Sequence, residues 1–268
     1  MLDLKNKDFL SKENVKSLAP SIFTENASLE VSDKYTHIPT SVVIDDMEKL
    51  GWKIVDAKQV KARKTTTRGF QKHLIVFRNP DIMINGKDGD DVFPQILLTN
   101  SHDGKNAFTF TAGMFRMVCE NGLVVSTKEF ENVKIRHIGY TFKELQEQIH
   151  EMVERLPLTI ESMNKMIQRE MNEKETLELA EEAVKVRFGE TDIKHIKIDF
   201  NELIQPTRKE DEGNDLWSIF NVIQEKIING MFEYTVGKNP RKARQIKNFN
   251  QDIKINRELF DLALNYIS

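Results

Sequence analysis

The feature that most constrains this chain is a change of hydrophobic period at Thr141. Upstream, from Gly51 to Gly139, short apolar runs alternate with turn formers: WKIVDAKQV, HLIVFRNP, FPQILLTN, NAFTFTAG and VKIRHIG. Runs of that length, rich in β-branched and aromatic residues, read as strands. Downstream, TFKELQEQIHEMVERL places Phe142, Leu145, Ile149, Val153 and Leu156 at spacings of three and four. That is the period of an amphipathic helix, and Thr141 with Glu144 makes a capping box. Strands first and helices afterwards imply an α+β fold: an antiparallel sheet of about four to six strands with flanking helices, followed by a helical C-terminal part.

Three regions follow. Residues 1–36 form an N-terminal arm, residues 37–142 the antiparallel core, and residues 143–268 a helical region with a basic link near 237–250. Thr40 or Ser41 caps a helix whose stripe is Val42, Val43, Met47 and Leu50, and Gly51 stops it. Asp103-Gly104 is a hairpin signal, because glycine tolerates positive φ. GMFRMVCEN reads as one short helix ended by Asn121-Gly122. Helices are expected over 214–229 and 251–267, the first with Trp217, Phe220, Ile223 and Ile227 as a core stripe.

Composition excludes several classes. A lone cysteine permits no internal disulfide and no cysteine-cluster zinc site. The six histidines show neither HxH nor HExxH spacing, so no metal site is read. GxGxxG and Walker sequences are absent, and no cofactor is expected. No stretch reaches the length of a membrane span, and MLDLKNKDFLSKENVK has no apolar signal region, so a cytoplasmic setting is expected.

Two kinds of candidate residue stand out. The segment NSHDGKNAFTFTAGMFRMVCENGLVV gathers His102, Asp103 and Cys119, with His73 upstream. His102 with Asp103 has the composition of a general base and its carboxylate, and Cys119 that of a nucleophile. The plainer reading gives Asn100, Ser101 and Asp103 to a turn and Cys119 to the core. The second kind is basic. Residues 53–78 hold eight Lys and Arg against one Asp, and 238–257 hold seven against one Asp. Lys61, Arg63, Lys64, Arg68, Lys72 and Arg78 in the first stretch, Arg116 beyond it, and Arg241, Lys242, Arg244 and Lys247 in the second are candidate phosphate contacts. Phe70, Phe77 and Phe249 are interleaved with them. Lysine and arginine on phosphates with aromatics against bases is how single strands are bound.

The Asn-Ser-His-Asp-Gly turn followed by Phe-Arg-x-Val-Cys-x-Asn-Gly-Leu resembles the hallmark of a phage- and plasmid-associated family of uncharacterised proteins. The likeness extends through GWKIVDAKQVKAR and RGFQKHLIVFR upstream, and through DLWSIFNVIQEKIINGM and INRELFDLA downstream. It covers the chain from about Thr36 onward. It implies a mobile-element gene working in a bacterial cytoplasm, with no activity attached. A helix ending in glycine, then antiparallel strands, then a long helix also resembles, at the level of fold, phage single-strand annealing proteins of the Rad52-like and Erf-like kind.

Together these give three expectations. The first is a homo-oligomeric protein binding single-stranded DNA, with strand annealing or recombination as its use. The second is a hydrolytic or nucleic-acid-modifying enzyme built on His102, Asp103 and Cys119. The third is a host-interaction or anti-defence protein.

Overall fold

In a computed structural model, the described residues are 9–31, 35, 37–62, 65, 68–83, 92–106, 108–116, 122–123, 133–135, 141–189 and 194–267. They belong to two compact units. The first comprises Met1–Asn85, Asp91–Phe115 and Lys128–Arg155; the second comprises Gly86–Asp90, Arg116–Thr127 and Leu156–Ser268.

The first unit is built on an antiparallel sheet. Strands β1 (Lys53–Gln59), β2 (His73–Arg78), β3 (Val92–Asn100) and β4 (Phe108–Arg116) neighbour one another in sequence order. β6 (Val133–Ile135) pairs with the first residues of β4, while Gly122–Leu123, a two-residue strand β5, fall in the second unit. The register aligns Gln59 with His73, and His73 with Asn100. The last residue of β1, the first of β2 and the last of β3 therefore meet at one end of the sheet. Every residue of β2 and β3 is buried. Such strands lack polar alternation because both their faces are covered, and Ile75, Phe77 and Leu98 lie at the centre with no exposure.

Helix α1 (Lys12–Leu18) and a 3-10 turn (Pro20–Phe23) occupy the segment expected as an arm. They are tied to the sheet: Leu10 N–H donates to Ile54 O at 2.8 Å, and Ser21 N–H donates to Gln59 Oε1 at 2.9 Å. Helix α2 (Thr40–Lys49) buries Val43, Ile44 and Met47, while Val42 is exposed. It ends at Leu50, and Gly51 takes the left-handed φ of +85° expected of it. Pro39, not Thr40 or Ser41, stands at the N-cap and provides no side-chain bond. Helix α3 (Phe142–Glu154) carries the Thr141/Glu144 capping box and buries Leu145, Ile149 and Met152.

One expected helix is corrected. Gly113 to Arg116 continue strand β4, and residues 117–121, with Cys119, lie outside the described residues. The reason is length matching. β3 and β4 are neighbours in the sheet, and each runs for nine residues. Backbone groups left beside a long strand are satisfied by continuing the ladder, and that outweighs a short helical pattern.

The second unit is mainly helical. It contains α4 (Leu156–Gln168), α5 (Glu173–Phe188), α6 (Phe200–Ile204), α7 (Leu216–Asn229) and α8 (Phe249–Leu264). Helix α7 is buried over almost its whole length, and Trp217, Phe220, Ile223 and Ile227 form the core stripe read from the sequence. Buried charge on α7 is fully paired. Arg208 forks onto Glu225 and also reaches Asp211 at 3.0 Å, and Lys226 donates to the carbonyls of Glu202 and Gln205. Beyond α7, Gly230 adopts φ +68° and lies against the backbone of Ala243 and Arg244. A three-stranded sheet completes the unit, in the order β7 (Ile196–Lys197), β8 (Glu233–Val236) and β9 (Asn239–Lys242). The basic link near 237–250 thus begins as an edge strand, where Pro240 can sit without leaving a ladder acceptor unmet.

Candidate functional site

The end of the sheet where β1, β2 and β3 meet carries most of the polar chemistry of the first unit. Its inner part is a closed network around Thr40. His73, Asn100, Ser101 and His102 have no exposed surface, and neither does Thr40. Asn100 Nδ2 donates to Thr40 Oγ1 at 3.0 Å. His73 Nε2 lies 2.9 Å from the same oxygen, and His102 Nε2 lies 3.4 Å from it. His37 stacks edge-on to His102 at 4.6 Å between ring centroids, and His73 lies 5.1 Å from His102.

Hydrogen counting assigns the protons. His73 Nδ1 faces the carbonyl of Gln71 at 3.1 Å, and a carbonyl only accepts, so Nδ1 carries the hydrogen. Ser21 Oγ, 3.2 Å from Nδ1, shares it. His73 Nε2 is then an acceptor, and the single Thr40 hydroxyl proton is spent on it. His102 must therefore donate its Nε2–H to Thr40 Oγ1. Burial holds the His73 pKa down at about 4, partly offset by the Gln71 carbonyl, so this ring is neutral near pH 7. Among the described residues no group of three or more His, Cys, Asp or Glu is placed to hold a metal ion. The Nε2 atoms of His73 and His102 are both directed at the Thr40 hydroxyl.

The NSHDG segment forms the lip of this network. Ser101 Oγ donates to Asp103 Oδ1 at 2.7 Å, and Lys105 N–H donates to the same oxygen at 3.1 Å. Gly104 turns with φ +70°. Ser28 N–H donates to His102 O, and Tyr35 Oη donates to Ser101 O at 3.2 Å. Asp103 thus serves the turn while His102 points inward to Thr40. Adjacent in sequence, the two side chains face different partners. Cys119 lies outside the described residues.

The outer part of the same end is an open depression of about 600 Å³ between the Pro20–Ser21 turn and the β1–β2 connection. Gln59, Lys61, Thr65, Arg68 and Gln71 line it, and no carboxylate is among its described lining residues. The connection is pinned at both ends: Val60 N–H donates to Lys72 O, and Gly69 N–H donates to Gln71 Oε1 at 2.5 Å. Ser21 belongs to both parts, with its N–H on Gln59 and its hydroxyl on His73.

The expected basic contacts separate by environment. Lys61 and Arg68 are exposed and make no ion pair among the described residues. Lys72 is half-buried, and burial lowers its pKa. Lys58 pairs with Asp56 at 2.6 Å, and Lys53 lies over the Phe9 ring. Arg78 is 3% exposed, with its guanidinium 5.1 Å from the Phe9 ring centre and 5.0 Å from that of Phe93. It is a packing cation with no surface to offer a phosphate. Arg63 and Lys64 lie outside the described residues, as does the side chain of Arg116. In the second unit Arg241, Lys242, Arg244 and Lys247 are all exposed on or just after β9. Of the three phenylalanines, Phe77 is core, Phe70 is half-buried, and the side chain of Phe249 is outside the described residues.

Sequence reasoning missed Thr40, Ser21, Gln59 and Gln71 as members of this end. The signal for Thr40 was Pro39. A proline holding the extended N-cap position displaces threonine into the helix and frees its hydroxyl for the interior. For the glutamines the only signal was an amide at each end of a basic strand connection.

No helix among the described residues is long and apolar enough to cross a membrane. No solved structure matches the chain. Two proteins of Escherichia coli (strain K12), UPF0380 protein YfjQ and UPF0380 protein YafZ, are each 31% identical over 255 residues, covering 95% of this chain and 90% of theirs. Residues 29–260 match the family described as Domain of unknown function (DUF932). That span takes in the sheet, Thr40 with His73 and His102, and the lining of the depression apart from Pro20 and Ser21, and with the two relatives it establishes that the chain belongs to this DUF932 family.

Proposed function

We propose that the protein binds single-stranded DNA at the open depression, as a phage- or plasmid-encoded DNA-transaction protein acting as a homo-oligomer in the bacterial cytoplasm. The observation that supports this reading is the sorting of the basic residues. Within 53–78 the cations spent on packing or on Asp56 are those away from the depression. Among the described residues, the exposed cations that make no ion pair, Lys61 and Arg68, line it. Cations along an open depression with no carboxylate among its described lining residues match the phosphate contacts of single-strand binders. Exposed Arg241, Lys242 and Lys247 add a second phosphate-binding stretch, on the other unit.

Fluorescence anisotropy with labelled single-stranded and duplex DNA, at low and moderate salt, tests the reading. Preference for the single strand, weakening steeply with salt, is the expected result. Complementary-strand annealing is then assayed directly. Absence of salt-sensitive binding to any single strand removes the proposal.

A further inference from the structure

The hydrogen-bond inventory of the depression carries the reading further. Gln59 Oε1 accepts from Ser21 N–H, and Gln71 Oε1 accepts from Gly69 N–H. A backbone N–H must meet the amide oxygen, so these bonds fix the orientation of both carboxamides. Each oxygen is engaged, and each NH₂ has no protein partner among the described residues. The charged groups offered here are the Lys61 ammonium and the Arg68 guanidinium, which donate and never accept, and the Thr65 hydroxyl can donate beside them. The described charged lining is therefore two cations without a carboxylate, and its amides present donors.

That inventory discriminates among phosphates. An internal phosphodiester carries one negative charge and two non-bridging oxygens. A terminal phosphomonoester carries close to two charges at pH 7 and three acceptor oxygens. Two cations and two donor amides match the second. The size agrees, since about 600 Å³ falls within the range that encloses one small ligand rather than a run of strand.

We propose that the depression bounded by Gln59, Lys61, Arg68 and Gln71 seats a terminal phosphate, so that the protein recognises phosphorylated ends of single-stranded DNA. The inference rests on the single-strand reading and adds where on the strand the protein binds.

The test uses the full chain and one oligonucleotide made with a 5′-phosphate, a 3′-phosphate or hydroxyls at both ends. One of the phosphorylated strands is expected to bind about tenfold tighter than the hydroxyl-ended strand, as charge-assisted donors on an added charge require. Gln59→Glu with Gln71→Glu keeps both oxygens for Ser21 and Gly69 while replacing each NH₂ by a carboxylate oxygen, and it should erase the preference. Should that variant lose its melting transition, Lys61→Gln with Arg68→Gln, both at exposed positions, carries the same test. Equal affinity of the wild type for all three strands overturns the end-recognition inference while leaving single-strand binding intact. A preference that survives the folded variants also overturns it. No binding to any strand overturns both readings.

Discussion

Acid should loosen the first unit through His73 before ordinary carboxylates titrate. In the fold this ring is fully enclosed, and its pKa is about 4 against 6.5 for a free histidine. The unfolded chain therefore binds one more proton than the fold between those values. A histidine whose folded pKa is depressed contributes stability that is complete above pH 6.5 and is lost as pH falls toward 4. At about 1.4 kcal/mol for each pH unit of displacement, the loss is about 3 kcal/mol, a large share of the 5–15 kcal/mol typical of domains. The assay is urea unfolding between pH 7.5 and 4.5, followed by tryptophan fluorescence. Trp52 lies in the first unit and Trp217 in the second, so a Trp217→Phe background leaves Trp52 to report on the first unit alone. The urea midpoint should fall steadily below pH 6.5. In the same background, His73→Gln should be less stable at pH 7.5 and nearly flat down to pH 5. A wild-type midpoint constant from pH 7 to 5, or an unchanged slope in the glutamine variant, would refute the reasoning.

Other perturbations follow from single contacts. Thr40→Val keeps the shape but strands a donor on Asn100, an acceptor on His73 and a donor on His102, and should cost about 3 kcal/mol in thermal or urea melts. Arg208→Met leaves Glu225 and Asp211 buried without their cation, and the second unit should lose about 3–5 kcal/mol, recovered in part when the acids are also neutralised. Gly230→Ala places a Cβ 2.5 Å from the carbonyl carbon of Arg244 at a φ of +68°, and should reduce soluble expression or lower the melting temperature more than alanine at Gly237, where nothing lies within 4 Å.

How much of this was legible in the sequence depended on how local each cause was. The Thr141/Glu144 box, the stop at Gly51, the turn at Gly104 and the stripe on Trp217 are set by neighbours within a few residues, and a sequence shows these directly. The extension of β4 through Arg116 is set by its partner strand, which a local helical pattern does not reveal. The strand Asn239–Lys242 looked like a link because it contains Pro240, and only its edge position makes that proline acceptable. The Thr40 network is the least local of all. It joins residues from the 3-10 turn, α2, β2 and the end of β3, separated by up to 62 positions within single hydrogen bonds. His73 and His102 were visible as candidates. What was not visible is that both direct a ring nitrogen to the same threonine hydroxyl. The basic clusters were visible as charge, but burial of Arg78 and pairing of Lys58 were not.

The central claim is that Lys61 and Arg68 hold the phosphates of a single strand, and its most direct measurement is the salt dependence of binding for the wild type and for Lys61→Glu with Arg68→Glu. Each phosphate contact to a single strand contributes about 0.7 to the slope of log affinity against log salt. The account predicts that the double reversal lowers affinity by at least tenfold at low salt and flattens that slope by about 1.4, with the melting transition unchanged. Equal affinity and equal slope in the two proteins would contradict it, and would return the depression to an ordinary solvated loop.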